Sequence, residues 1–174
     1  YRRKVEGDIA ASASAFIHEN ARKDDPFFLY VGWSHVHYPS GASAEFQGKS
    51  AAGAYGDMLM EHDSRVGEVV SAIDAAGIKD NTIVVYLSDN GPVQYEGLND
   101  DYLGSSPGPF RGEVGDVLEG SLRVPGMIRW PNRIPARKSN EMVSIHDFLP
   151  TFAGLLGSAL SEDRPIDGCD QLQF

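Results

Sequence analysis

Thr82-Ile83-Val84-Val85-Tyr86-Leu87-Ser88-Asp89-Asn90-Gly91-Pro92 is the stretch on which the fold turns. Thr82 to Leu87 is apolar and rich in β-branched residues, which suits a strand covered on both faces. It is broken abruptly by a cluster of turn-forming polar residues. Upstream, Tyr55, Leu59, His62, Val66, Val69, Ile73 and Ala76 recur at steps of four and three, the mark of one helix face, and Gly77 supplies the stop. Further upstream again, Phe27-Phe28-Leu29-Tyr30-Val31-Gly32-Trp33 is almost continuously apolar and reads as a central parallel strand. Strand, helix, strand is a βαβ unit, so an α/β fold with a mostly parallel central sheet flanked by helices is expected.

The flanks agree with this reading. Val5, Ile9, Phe16 and Ile17 among alanines fit an amphipathic helix that fades at Lys23-Asp24-Asp25-Pro26. From Pro92 to Gly120 the chain is dense in Gly, Pro, Asp and Ser and predicts a long irregular excursion. Val124 to Trp130 is a short strand closed by Pro131. Val143 to Gly157 is a turn entering a helix, with Asp147 as N-cap and Pro150 in the first turn.

With 174 residues and 41% hydrophobic content the chain can bury a core, as one globular domain or part of a larger one. A formal charge of -10 argues against non-specific binding to nucleic acid or an anionic membrane, since the field repels phosphate. The single cysteine, Cys169, rules out an intrachain disulfide and a cysteine-rich zinc site. Apolar runs such as Phe27 to Val31 are too short to span a bilayer. The chain opens on Tyr1-Arg2-Arg3-Lys4 with no initiator Met or signal-like segment, and the expectation is an interior piece of a longer protein.

Both buried strands end in polar residues: Ser34-His35-Val36-His37-Tyr38-Pro39 after the first and Ser88-Asp89-Asn90-Gly91 after the second. In open parallel sheets ligands gather beyond the carboxyl ends of strands, so the two clusters are expected on one rim. Asp89 offers an anionic oxygen and Asn90 an amide oxygen, a pair that suits Ca²⁺ or Mg²⁺, and Asp-Asn-Gly is equally ordinary turn chemistry. His35 and His37 are open to three readings: general acid or base, metal ligands, or imidazoles capping a strand end. His-x-His also occurs in zinc hydrolases, but His18 and His62 fit helix faces better than a ligand set. Asp24-Asp25 precedes its strand and reads as a solvated helix exit.

Taken together, the segments resemble the sulfatases of the alkaline phosphatase superfamily, in their arylsulfatase-like branch, from about Asp25 to Asp170. The likeness is carried by Pro26-Phe27-Phe28-Leu29-Tyr30 with His35-Val36-His37-Tyr38-Pro39, by Tyr55-Gly56-Asp57-Met58 with Asp63 and Val66-Gly67, and by Asn81-Thr82-Ile83-Val84 with Ser88-Asp89-Asn90-Gly91-Pro92. It continues in Phe110-Arg111-Gly112-Glu113 with Glu119-Gly120-Ser121-Leu122-Arg123-Val124-Pro125. It ends in Trp130-Pro131, Asp147-Phe148-Leu149-Pro150-Thr151 and Ile166-Asp167-Gly168.

The resemblance implies an alkaline-phosphatase-like fold, with residues 1–174 a single partial sulfatase domain from the large N-terminal α/β domain. It implies that Asp89 and Asn90 bind an active-site divalent ion, usually calcium, and that His37 contacts a sulfate ester near its leaving-group oxygen. The family's nucleophile, a formylglycine made from a cysteine or serine in a Cys/Ser-x-Pro/Ala-x-Arg motif, is expected upstream of this chain, as is an Asp-Asp pair. Cys169 does not match that motif.

A second departure is Val114, where many relatives carry a lysine that contacts the sulfate. Arg111 and Arg123 are the nearby cations able to compensate, and either also suits a structural ion pair. The expected function is hydrolysis of sulfate monoesters on a small molecule or a sulfated glycan. A phosphodiesterase or phosphonate hydrolase of the same superfamily and a catalytically silent binder of sulfated ligands are the alternatives. Relatives are commonly periplasmic, secreted or lysosomal, which leaves the compartment open.

Overall fold

The structure, a computed structural model, describes residues 2–39, 41–93 and 105–172. The chain forms two compact units, Tyr1–Pro135 and Ala136–Phe174. In the first, α1 (Arg2–Asn20) packs along α2 (Gly53–Ala75), followed by β1 (Val84–Leu87), the short α3 (Glu119–Leu122) and β2 (Gly126–Arg129). The second holds α4 (Phe148–Leu156), entered through a 3-10 turn at Ile145–Asp147.

The two long helices meet because α1 presents Ala10, Ala13 and Ile17 on one stripe, small residues that let the backbones approach. Ile17 joins Ala72 and Ile73 of α2 in a core that Phe27, Leu29, Val69, Ala76, Ile78 and Val84 complete. A second cluster, Ala42, Phe46 and Met58 with Val36 and Tyr55, fastens the loop between 34 and 52 onto the start of α2. The buried face of α2 differs from the expected one at its first turns. His62 is buried as expected, but Leu59 is exposed, and Asp57, Met58 and Glu61 are buried in its place. The reason is polar: Asp57 accepts hydrogen bonds from the backbone N–H of Gly48 and of Ser50, so this face of the helix serves the preceding loop.

Residues 26–34 join no hydrogen-bonded ladder among the described residues, and no ladder links them to β1. Their burial still alternates with the period of an extended strand. Phe27 and Leu29 face the helical core, while Phe28 and Tyr30 are 78% and 82% exposed. The expected two-sided cover is therefore one-sided within this chain. The described sheet is β1 paired antiparallel with β2, Val84 opposite Arg129 and Leu87 opposite Gly126. It is tied to the helices where Arg129 Nη2 donates to Asp74 Oδ1 at 2.7 Å.

In the second unit Asp147 stands at the N-cap position of α4 without capping it. Its carboxylate instead accepts from the backbone N–H of Ser144 and of Cys169 and from Gln171 Nε2, which holds it below the usual carboxylate range. Pro150 lies in the first turn of α4, as expected.

Because Ile17 is 1% exposed at the contact between α1 and α2, Ile17→Ala in the full-length protein is expected to cost about 2–5 kcal/mol, with His18→Ala, on the exposed face, near neutral. Denaturant midpoints at constant m-value check both.

Candidate active site

The turn that ends β1 is built by close backbone approach. Gly91 N–H donates to Ser121 O at 2.9 Å, Ser88 N–H to Pro125 O at 3.3 Å, Val114 N–H to Pro92 O at 2.9 Å and Gly120 N–H to Arg111 O at 2.9 Å. A Cβ at Gly91 would lie 2.2 Å from Gly120 O, and one at Gly120 would lie 2.5 Å from Gly112 O, so both positions require glycine. The Asp89-Asn90 turn, the Arg111–Val114 segment and α3 thereby form one knot.

Within it Asp89 and Asn90 are exposed. Asn90 Nδ2 donates to Gly91 O at 2.7 Å and Ser88 Oγ donates to Asn90 O at 3.1 Å. With its amide nitrogen engaged on the chain, Asn90 keeps its side-chain carbonyl oxygen as an acceptor, next in sequence to the carboxylate of Asp89. Two such oxygens fit part of the shell of a hard cation, which takes six or more. Among the described residues no three His, Cys, Asp or Glu side chains converge as a metal cluster. Val114 is fixed to the same turn through Pro92. Arg123 is committed elsewhere: its Nε pairs with Glu119, and its guanidinium lies 4.5 Å from the Phe110 ring centre.

The histidine loop follows the extended segment 27–33. His37 is exposed, its N–H donates to Ser34 O at 3.1 Å, and its Nδ1 lies 2.7 Å from Tyr38 O. A carbonyl only accepts, so Nδ1 carries the hydrogen of this contact. The side chain of His35, by contrast, is 1% exposed, and its Nε2 lies 3.1 Å from Glu61 Oε2. One imidazole faces the interior and the other the solvent, an arrangement that does not suit a shared zinc ion.

Two carboxylates that sequence reasoning missed surround this loop. Glu6 Oε1 accepts from Ser34 N–H at 2.8 Å, Ser34 Oγ at 2.7 Å and His35 N–H at 3.1 Å, while Glu6 Oε2 faces His62 Nδ1 at 3.8 Å. Burial raises the Glu6 pKa, but the His62 and Ser34 donors and the His35 imidazole outweigh it and bring the value to about 2. Glu61 Oε2 is shared between His35 Nε2 and the N–H of Ser43, and Arg65 lies 3.6 Å from its other oxygen. Burial opposes ionisation of Glu61, but the Ser43 and His35 donors hold its pKa low. His62 Nε2 meets Tyr86 OH at 3.0 Å, and its ring packs edge-on against Trp33 at 5.5 Å, so the end of segment 27–33 and β1 share one imidazole. The available signal for Glu6 was its place on the stripe of Ala10, Ala13 and Ile17, where a carboxylate has no business unless it is met by donors.

The remaining polar residues are scaffold. Asp24 and Asp25 are exposed at the helix exit. The thiol of Cys169 is pushed up by burial and by Asp147 beside it, the opposite of an activated nucleophile. Of the expected specificity loop from Gln94 to Pro109, residues 94–104 lie outside the described residues.

Comparison with solved structures defines the class. A Bacteroides thetaiotaomicron structure, described under the metabolism of multiple glycosaminoglycans, matches with a TM-score of 0.89 at 33% identity, covering 99% of this chain and 37% of that one. The fold is the α/β, alkaline-phosphatase-like fold of sulfatases. The chain belongs to the sulfatase family, whose model matches residues 6–158. Rat (Rattus norvegicus) steryl-sulfatase is 42% identical over 93% of this chain and 28% of its own length. N-acetylgalactosamine-6-O-sulfatase of Bacteroides thetaiotaomicron is 35% identical over 94% of this chain and 33% of its own length. The chain thus spans about a third or less of the curated relatives it matches. Membership supports, in general terms, a metal ion, a formylglycine and a sulfated substrate. No helix among the described residues is long and apolar enough to cross a membrane.

Two outcomes follow from this geometry. Gly91→Ala is expected to destabilise by several kcal/mol or displace the turn, with divalent-ion affinity lost in parallel, as thermal unfolding and ion titration would read. The carboxyl of Glu6 goes from 4.5 unfolded to about 2 folded, so its contribution is complete above pH 4.5 and disappears as pH falls toward 2. That contribution is about 3 kcal/mol, and Glu6→Gln should flatten the fall in unfolding free energy across this window.

Proposed function

We propose that the full-length protein hydrolyses sulfate monoesters, and that residues 1–174 are part of its large α/β domain rather than a domain of their own. The observation that carries the reading is the glycine-locked turn displaying Asp89 and Asn90 in a chain of the sulfatase family. The match over 6–158 runs across both compact units, which favours one parent domain.

In this reading Asp89 and Asn90 hold one edge of a divalent ion, calcium or magnesium, through a carboxylate and an amide oxygen. The ion supplies positive charge to the sulfate oxygens, and a formylglycine from elsewhere in the full-length protein supplies the nucleophile. His37 stands at the leaving-group side. With Nδ1 held on Tyr38 O, its Nε2 delivers a proton to the departing oxygen, so that an alcohol rather than an alkoxide leaves. The turn keeps Val114 at the anion end, where it offers an apolar surface instead of a cation. Arg123, engaged by Glu119 and Phe110, does not replace that charge. The substrate is a sulfate ester of a small molecule or a glycan: one relative is named for steryl sulfate, another for sulfated N-acetylgalactosamine.

In the full-length enzyme, Asp89→Ala and Asn90→Ala are expected to lower calcium affinity and aryl sulfate turnover together, by at least about tenfold each. Normal calcium dependence in either variant would reduce the segment to a turn. Val114→Lys is expected to tighten inhibition by inorganic sulfate about tenfold, the effect of a unit charge close to an anion in a partly dehydrated cleft. Unchanged sulfate inhibition and unchanged aryl sulfate kinetics would mean that the pocket at Val114 serves an apolar part of the substrate.

A further inference from the structure

Loop 34–43 carries His37 at an exposed position but is fastened from beneath at both ends by buried carboxylates. At its start, one oxygen of Glu6 takes the N–H of Ser34, the hydroxyl of Ser34 and the N–H of His35. At its end, one oxygen of Glu61 takes the N–H of Ser43 and the Nε2 of His35. The carboxylates come from two helices, α1 and α2, and His35 lies between them, with its Nδ1 3.9 Å from Glu6 Oε1. His37 is tied to the start of this loop by its backbone, its N–H donating to Ser34 O at 3.1 Å.

We propose that Glu6 and Glu61, acting through Ser34 and His35, are positioning residues that set the orientation of the His37 imidazole toward the leaving-group oxygen. Both side chains are 1% exposed, too deep to meet substrate themselves. A buried acceptor is needed in each place because one oxygen takes several donors at once, and the charge of a carboxylate strengthens each of those bonds. For Glu6 the donors are two backbone N–H groups and a hydroxyl, which an apolar residue would leave unsatisfied and an amide would satisfy without the charge. The second loop anchor, Ala42 and Phe46 on Met58 with Val36 packed against them, holds the loop against α2, while the hydrogen bonds to the Ser34-His35 peptide come from the carboxylate of Glu6. The inference rests on the reading of His37 as the leaving-group residue, and the test separates the two.

In the full-length enzyme, Glu6→Ala and Glu61→Ala are to be compared with Glu6→Gln, Glu61→Gln and His37→Ala on an aryl sulfate. The readouts are kcat and KM separately, the pH profile, and the resonances of the His37 ring in histidine-labelled protein. The expected result is a fall in kcat of about a hundredfold in each alanine variant, the scale of an ångström-sized misplacement, with KM changed less than about threefold. The His37 resonances should shift, and the glutamine variants, which keep an acceptor oxygen, should recover part of the loss. Should an alanine variant fail to fold, the corresponding glutamine variant carries the same readouts. Loss of turnover in His37→Ala together with wild-type kcat, pH profile and His37 resonances in the folded Glu6 and Glu61 variants would overturn the positioning role. Full turnover in His37→Ala would instead remove the catalytic reading of His37, and shifted His37 resonances in the Glu6 variants would then leave the clamp as an anchor of the loop alone.

Discussion

A carboxylate cannot remain charged inside a protein unless donors surround it, and the Glu6 side chain imposes that demand on the histidine loop. Glu6 lies on the stripe by which α1 packs against α2, so placing its charge there forces Ser34 and His35 to turn their N–H groups inward. His62 faces the second Glu6 oxygen and reaches Tyr86 of β1 through its other nitrogen. One buried charge therefore coordinates α1, the loop after segment 27–33, α2 and the strand that leads to Asp89. Apolar packing at Ile17, Ala72 and Ile73 brings the helices together, but it carries no information about where a loop must point. The polar network supplies that direction.

The Asp89-Asn90 turn, in the same unit, is shaped by the absence of side chains. Gly91 and Gly120 allow the Asp89-Asn90 turn to lie directly on the backbone of α3 and its approach, at separations that any Cβ would prevent. The turn is consequently stiff without being buried. That combination suits a proposed cation site, where the ligand oxygens must face solvent and ion while their backbone stays fixed. Val114, far from Asp89 in sequence, is brought to the same turn because the Pro92 carbonyl accepts its N–H.

What the sequence disclosed followed the range of the physics involved. The period of α2, its stop before Gly77, the β-branched run of β1 and the turn chemistry of Ser88 to Pro92 are local properties, and each element forms within a few residues of its expected bounds. The antiparallel pairing of Val84 to Leu87 with Gly126 to Arg129 is not local, and a buried apolar run gives no indication of which strand lies beside it. Segment 27–33 had the composition of a strand covered on both sides, whereas only Phe27 and Leu29 find cover in the described core. The family resemblance reached what periodicity did not, the roles proposed for His37, Asp89 and Asn90. Glu6 and Glu61 escaped both approaches. Their partners in the histidine loop lie 18 to 29 residues away, and a glutamate near the start or middle of a helix is ordinarily a solvated one.

The charge balance also constrains how such a site can bind a sulfate ester. The chain carries a formal charge of -10, so its long-range field opposes the approach of an anion. That field is screened over roughly 8 Å at physiological ionic strength, and capture is decided by the charges within the site. Asp89 adds a further negative charge to that turn, Glu6 and Glu61 are buried with donors gathered on one oxygen of each, and Arg65 is committed to Glu45, Glu61 and Glu68. With valine at 114 and Arg123 turned to Glu119, Arg111 is the basic residue whose backbone joins the knot that fixes the Asp89-Asn90 turn. In the proposed reading, sulfate affinity depends on the bound ion, on Arg111 and on cations from the rest of the full-length protein. A site of that kind should lose more of its anion binding when its ion is removed than a lysine-bearing site would.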